Sequence, residues 1–251
     1  MKYLYVANWK MNITFNQSIN FCKNNSNALQ QLSHTTTGIV ICPSFVAITP
    51  IAEILKNSTI AIGAQNCSEY SLGAYTGEVS ALSLAEVGLT YCIVGHSERR
   101  MYYSETTDNI IKKIYLLYAA NILPIICIGE THTDFLDKKT YTVLTEQLKP
   151  ILTAITQQQE HSKHIIIAYE PVWSIGTGIV PTLEQLTTVF AWITKQIKLH
   201  LPEHTIQLLY GGSVSKNNIV ALKKTPLING FLIGGASTDF EEFKDIITQD
   251  N

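Results

Sequence analysis

Five polar side chains stand where short apolar runs of this 251-residue chain end: Asn8, Lys10, His96, Glu170 and Ser213. A carboxylate, an imidazole and an ammonium form an acid–base set. One can take a proton from carbon, one can donate to an oxygen, and one can stabilise developing negative charge. Glu170 follows the run Ile165-Ile166-Ile167-Ala168-Tyr169 and precedes Pro171, which lacks an N–H and cannot continue a central strand. His96 follows Tyr91-Cys92-Ile93-Val94-Gly95, and Asn8 and Lys10 follow Tyr3-Leu4-Tyr5-Val6-Ala7. Two glycine pairs, Gly211-Gly212 before Ser213 and Gly234-Gly235, end two further runs. Backbone N–H groups left free at such turns suit an anion such as phosphate.

Taken singly, each signal has a plainer reading. A lone histidine is usually a surface or satisfied polar residue, a lone lysine a solvated charge, and a glycine pair a turn. Glu170-Pro171 could open a helix, with Gly176-Thr177-Gly178 as a simple turn. Alternatively, the segment after Glu170 is a loop that closes over a ligand, apolar face inward, with its amides free for an anion. Ser97 offers a helix cap beside His96; a helix N-terminus near the ring disfavours imidazolium, so a neutral, donating imidazole is expected.

The elements that must position these groups recur in a fixed rhythm. Strands are expected at 3–7, 38–42, 59–64, 91–94, 123–128, 165–169, 206–210 and 231–233. Helices are expected at 18–32, 45–56, 81–88, 105–120 and 217–223, with Tyr141, Leu144, Leu148, Ile151 and Ile155 at helical spacing in another. Thr182 and Gln185 form a capping box for a helix with the inward stripe Leu183, Leu186, Phe190, Ile193 and Ile197; Thr238 and Glu241 form one for the last helix. A long polar connection, 65–78, interrupts the rhythm. Short strands buried on both faces, alternating with helices, make parallel βαβ units. Eight such units predict an α/β fold: a single-domain (β/α)8 barrel with parallel strands over 1–251, no linker or composition shift dividing it. In such a barrel Asn8, Lys10, Gln65, His96, Glu130, Glu170, Ser213 and Gly234-Gly235 converge at the C-terminal ends of the strands.

Composition excludes other roles. A net charge of −2 gives no basic field for nucleic acid. Five cysteines without a CxxC pair argue against a disulfide framework or a zinc site and for reduced thiols in the cytoplasm. The N-terminus has no secretory pattern, and no apolar segment is long enough to span a membrane. His34, His132, His161, His164, His200 and His204 show no ligand spacing and read as surface; Pro202 should end any helix joining the last two.

The motifs Asn8-Trp9-Lys10-Met11-Asn12, Val94-Gly95-His96-Ser97-Glu98-Arg99-Arg100, Tyr169-Glu170-Pro171-Val172-Trp173, Gly176-Thr177-Gly178, Tyr210-Gly211-Gly212-Ser213-Val214 and Gly234-Gly235-Ala236-Ser237 closely resemble those of the triosephosphate isomerase family. The resemblance runs in order from Asn8 to Ser237. It departs at Ala7 and Ile13, each a common glycine, at Ser174, usually alanine, and at Ile179-Val180-Pro181, where many members have a lysine and small residues. The resemblance implies interconversion of dihydroxyacetone phosphate and D-glyceraldehyde 3-phosphate through an enediolate, in glycolysis and gluconeogenesis. The roles it carries over are the family's own. Glu170 shuttles the proton between C1 and C2, His96 polarises the carbonyl and moves protons between the oxygens, and Lys10 and Asn8 support the enediolate. Gly176, Ser213, Gly234 and Gly235 hold the phosphate, and Asn8 and Lys10 also bind the substrate. Ser97 and Glu98 support the histidine region, and no metal or organic cofactor is expected. The 65–78 connection matches the family's loop that inserts into a second subunit, with Thr76 reaching the partner's site, which implies a homodimer. A different sugar-phosphate isomerase on the same barrel would need another acid–base set. A non-catalytic binding or adhesion role is the remaining alternative.

Overall fold

The eight apolar runs form eight parallel strands that close on themselves, in a computed structural model that describes residues 3–157 and 163–249. In chain order the elements are β1 (Tyr3–Asn8), α1 (Phe15–Leu32), β2 (Thr37–Cys42), α2 (Phe45–Leu55), β3 (Ala61–Ala64), α3 (Ala81–Glu86), β4 (Tyr91–Val94), α4 (Ser97–Tyr102), α5 (Thr107–Ala119) and β5 (Leu123–Ile128). There follow α6 (His132–Leu136), α7 (Thr140–Thr156), β6 (His164–Tyr169), α8 (Leu183–His200), β7 (Thr205–Tyr210), α9 (Ile219–Lys223), β8 (Gly230–Ile233) and α10 (Phe240–Thr248). Neighbours in sequence are neighbours in the barrel, and β8 returns to β1 with Val6 opposite Leu232. This is the expected single-domain (β/α)8 barrel, because a parallel pair needs a long crossover and each helix supplies one.

Both faces of the strands are apolar, for two different reasons. Inward-pointing Leu4, Val6, Val40, Ile93, Ile125, Ile166, Leu209 and Leu232 fill the barrel. The alternate residues, such as Tyr5, Ile126, Ile167 and Tyr210, meet the surrounding helices. Trp9 belongs to that outer layer. It packs edge-on against Phe21 at 5.0 Å and donates from Nε1 to the Ser237 carbonyl at 3.0 Å, fixing the end of β1 against α1 and the turn after β8.

Local capping moves several boundaries. The first helix begins at Phe15, not at 18, because Thr14 and Gln17 form a capping box. The last helix is capped by Asp239, which accepts from the Glu242 amide, so the expected box at Thr238 and Glu241 lies one residue early. A short helix, α6, follows Thr131 and was not expected; Thr131 and Asp134 cap it. On α8 the expected capping box stands, but Leu183 is exposed and Val189 takes its place in the buried stripe. Among the histidines read as surface, His34 and His132 are exposed; His164, His200 and His204 are half-buried, and His161 lies outside the described residues.

The 65–78 connection has no helix or strand, yet it is ordered from within. Ser68 donates to the Val79 carbonyl at 2.8 Å across its base, and Tyr70 stacks on Tyr75 with ring centroids 3.9 Å apart. Tyr70, Leu72, Tyr75 and Thr76 nevertheless stay exposed.

Candidate active site

Strand phase aims most of the site. Leu4 and Val6 point into the barrel, so Asn8 continues that face; Ile166 and Ala168 do the same for Glu170, and Leu232 for Gly234. His96 is out of phase, since Cys92 and Val94 pack outward against the helices. Gly95 resets the direction: at φ 70 it occupies the left-handed region, and a Cβ there would lie 2.8 Å from Ile110. As a result Asn8, Lys10, His96, Glu170, Gly176, Ser213, Gly234 and Gly235 all line one cavity of about 350 Å³.

Glu170 is buried, with its backbone close against β5 and β7. A Cβ on Gly129 would stand 1.8 Å from the Glu170 carbonyl oxygen, and one on Gly211 would stand 2.8 Å from its Cγ. Oε1 lies 3.1 Å from His96 Nε2, and Oε2 accepts the Ser97 amide at 3.1 Å. Burial pushes the carboxyl pKa up, but His96, the Ser97 N–H and Lys10 together outweigh it and hold the group below its ordinary range.

His96 itself is the N-cap of α4: Nδ1 accepts the Glu98 amide at 3.2 Å. This corrects the expectation that Ser97 caps the helix; Ser97 is its first residue and supplies its amide to Glu170 instead. The bond to Glu98 N–H needs the Nδ1 lone pair, so while it stands the ring proton is on Nε2, facing Glu170. Burial lowers the His96 pKa, and the adjacent Glu170 carboxylate raises it by more. This runs against the neutral ring expected from the sequence: while Glu170 lies beside it, the imidazole is drawn toward imidazolium on balance.

Lys10 adopts the left-handed region at φ 51, which costs energy for a residue with a side chain. Its neighbours impose that shape. Asn8 Oδ1 accepts the Lys10 amide at 3.2 Å, and Gln65 Nε2 donates to the Lys10 carbonyl at 2.9 Å. The ammonium ends 2.6 Å from Glu98 Oε1, whose other oxygen lies 3.6 Å from His96 Nδ1. Glu98 thus holds the Lys10 ammonium through its carboxylate and His96 through its backbone amide. The Gly234 turn lies beside the lysine: a Cβ on Gly234 would be in ordinary contact with Lys10 Cε, at 3.4 Å.

The segment after Glu170 is a loop with one short helical turn at its start. Pro171 leads into one short 3-10 turn, Val172–Ser174, and Gly176 and Gly178 follow at φ 68 and 75. The Ser174 carbonyl accepts from Ser213 N at 3.2 Å and Ser213 Oγ at 2.5 Å, and the Gly178 amide donates to Ser213 Oγ at 3.3 Å.

Glu130 does not join the cavity. Ile126 and Ile128 face outward in β5, and Glu130 keeps that phase. It is buried, accepting from Tyr169 Oη at 3.0 and 3.1 Å and from Trp173 Nε1 at 3.1 Å. Burial raises its pKa against those hydrogen bonds. Its place is under the start of the loop that follows Glu170, where Trp173 also packs on Phe135. Thr76 is exposed and does not line the cavity of its own chain.

Sequence reasoning missed the parts played by Gly129 and Gly211, which make room for Glu170, and by Gly95. The only signal was a glycine directly after each strand. Among the described residues no group of three or more His, Cys, Asp or Glu side chains could hold a metal ion. The five cysteines are free and buried.

A closed parallel barrel with a carboxylate, a histidine and a lysine gathered beside two glycine turns at its C-terminal rim defines an acid–base enzyme of the (β/α)8 class. A profile of the triosephosphate isomerase family matches residues 3–250. The chain is 38% identical to the triosephosphate isomerase of Endomicrobium trichonymphae, with 98% of each chain covered. It is 39% identical to that of Aquifex aeolicus (strain VF5), covering 98% of this chain and 99% of the relative. The chain belongs to the triosephosphate isomerase family.

Proposed function

We propose that the chain interconverts dihydroxyacetone phosphate and D-glyceraldehyde 3-phosphate by moving one proton between C1 and C2, a step of glycolysis and gluconeogenesis. The observation that carries this reading is the 3.1 Å approach of Glu170 Oε1 to His96 Nε2 at the wall of a cavity that also holds Lys10 and the glycine turns. Glu170, held ionised, is the base; once it turns from Ser97 toward the substrate it takes a proton from C1 of the ketose. The C2 carbonyl oxygen then accepts a hydrogen bond from the Nε2–H of a neutral His96, and the electron pair left on carbon becomes the enediolate. Lys10 and Asn8 stabilise that charge. His96 transfers protons between the two oxygens, and Glu170 returns its proton to C2, giving the aldose. Gly176, Ser213, Gly234 and Gly235 hold the phosphate through backbone amides and the Ser213 hydroxyl, beside Lys10. Ser97 and Glu98 position Glu170, His96 and Lys10. The chemistry needs no metal or organic cofactor, since the phosphate supplies the binding handle and the acid–base pair the proton transfers.

The whole chain, 1–251, acts as one barrel domain in the cytoplasm; no helix among the described residues is long and apolar enough to cross a membrane. Two copies pair through the 65–78 connection, where Tyr70, Leu72 and Tyr75 are exposed on a loop stiffened by its own stack, and Thr76 braces the partner's site. No observation favours a non-catalytic binding or adhesion role.

A coupled assay with glyceraldehyde 3-phosphate tests the reaction, with Glu170→Gln as control. Turnover by the native protein and its near-complete loss in the variant are expected. A native protein without turnover, or a fully active variant, would overturn the proposal.

A further inference from the structure

The end of β5 has a strand on one side only. Toward β6 its ladder continues past the strand: the Glu170 amide donates to the Ile128 carbonyl at 2.8 Å, and the Val172 amide to the Glu130 carbonyl at 3.0 Å. The backbone groups of Gly129, between those two residues, face the other way, toward β4. There β4 has already stopped, its last pair being Val94 with Ile126, and the chain has turned into α4. Two side chains take over. Arg100 Nη2 donates to the Cys127 carbonyl at 3.3 Å. Gln147 of α7 closes on Gly129 with both ends of its amide: Nε2 donates to the Gly129 carbonyl and Oε1 accepts the Gly129 N–H, each at 2.9 Å. A glutamine amide offers a donor and an acceptor as a peptide unit does, so it completes the ladder in place of the missing strand.

We infer that Gln147 is a positioning residue for Glu170, acting through Gly129. The inference rests on the proposed role of Glu170 as the base. Gly129 is the surface on which Glu170 is seated: a Cβ on Gly129 would lie 1.8 Å from the Glu170 carbonyl oxygen, so the two backbones touch. Beside them Gln147, Arg100, Ser97, Gly129 and Glu170 border a cavity of about 230 Å³. Close packing therefore does not fix the end of β5 on that side, and the paired hydrogen bonds do. Gln147 is itself held in place, half-buried on α7 beside the buried Leu144, Leu148 and Ile151. It does not line the cavity that holds His96, Lys10 and the glycine turns. A change at Gln147 thus reaches the chemistry only by moving the strand end and, with it, the backbone that carries the carboxylate.

The test uses Gln147→Met, which keeps the length of the side chain and removes both bonds. Two quantities are read: steady-state kinetics with glyceraldehyde 3-phosphate, and the His96 ring pKa by ¹⁵N NMR. A displacement of about 1 Å costs on the order of 10²-fold, so kcat should fall by about 10- to 100-fold, with KM nearly unchanged because the phosphate-binding groups are untouched. The His96 ring pKa should fall below that of the native protein, since the carboxylate 3.1 Å from Nε2 is withdrawn. Gln147→Glu is the second variant, for use if the methionine does not fold. It keeps the acceptor for the Gly129 amide and loses only the donor, so both effects should appear in smaller measure. Native kcat together with a native ring pKa would overturn the inference. A fall in kcat with the ring pKa unchanged or raised would overturn it as well, because the loss would not pass through Glu170. A lowered ring pKa with native kcat would instead overturn Glu170 as the base and leave its positioning by Gln147 standing.

Discussion

Glu170 and His96 hold each other at 3.1 Å, and each shifts the other's protonation: the carboxyl is kept below its ordinary range and the imidazole is drawn above its own. Neither residue can be altered without moving the other's titration. Ser97 and Glu98 amides fix the outer sides of the pair, so the contact is set by the start of α4 as much as by β6.

Replacing Glu170 by glutamine should therefore lower the His96 ring pKa, because burial then acts with the main raising charge removed. Ring ¹⁵N NMR across a pH series reads this directly. A pKa equal to or above that of the native protein would sink the assignment. The sign for stability follows from the two directions. The Glu170 part is present above its ordinary 4.5 and lost as pH falls through the lower folded value; the His96 part is present below its ordinary 6.5 and lost as pH rises through the higher folded value. The pair's pH-dependent contribution to folding is thus largest between about 4.5 and 6.5, and the gap between native and Glu170→Gln unfolding curves should change most at the edges of that window.

Glu170→Asp keeps the charge and withdraws it by about one methylene. A displacement of about 1 Å costs on the order of 10²-fold in rate. We expect that loss in kcat with a normal thermal unfolding curve, since the residue sits at a strand end. Near-native turnover in the aspartate variant would remove Glu170 from the role of proton carrier.

Gly211→Ala should reproduce part of this defect without touching a polar group. The new methyl would stand 2.8 Å from Glu170 Cγ, so the carboxylate must shift. A loss of kcat of about 10- to 100-fold follows from the same distance dependence. Steady-state kinetics on the folded variant, with kcat unchanged, would show that Glu170 has room to spare.

Deleting residues 68–74 should yield a folded monomer of far lower activity. The deletion removes Tyr70, and with it the stack on Tyr75 that stiffens the loop. Light scattering and assay at the same concentration check it. A native protein that is a fully active monomer at micromolar concentration would contradict the dimer.

What the sequence determined by itself is the rhythm and the cast. Eight short apolar runs separated by helical patterns demand parallel crossovers, and polar residues directly after those runs can only lie at one rim. That is why Asn8, Lys10, His96, Glu170, Ser213 and the Gly234 turn could be nominated from order alone. What only the tertiary structure decided is which way each residue faces. In a parallel barrel both faces of a strand are apolar, so alternation leaves no trace in the sequence. Glu130 and Glu170 therefore read alike as acids after a strand, yet Glu130 continues the outer phase of Ile128 and Glu170 the inner phase of Ala168. His96 reaches the cavity only through the left-handed turn at Gly95. The same limit applies to Ser174, a small departure in the sequence, which ties Ile179 to Tyr210 only when residues 5 and 36 positions away are folded against it.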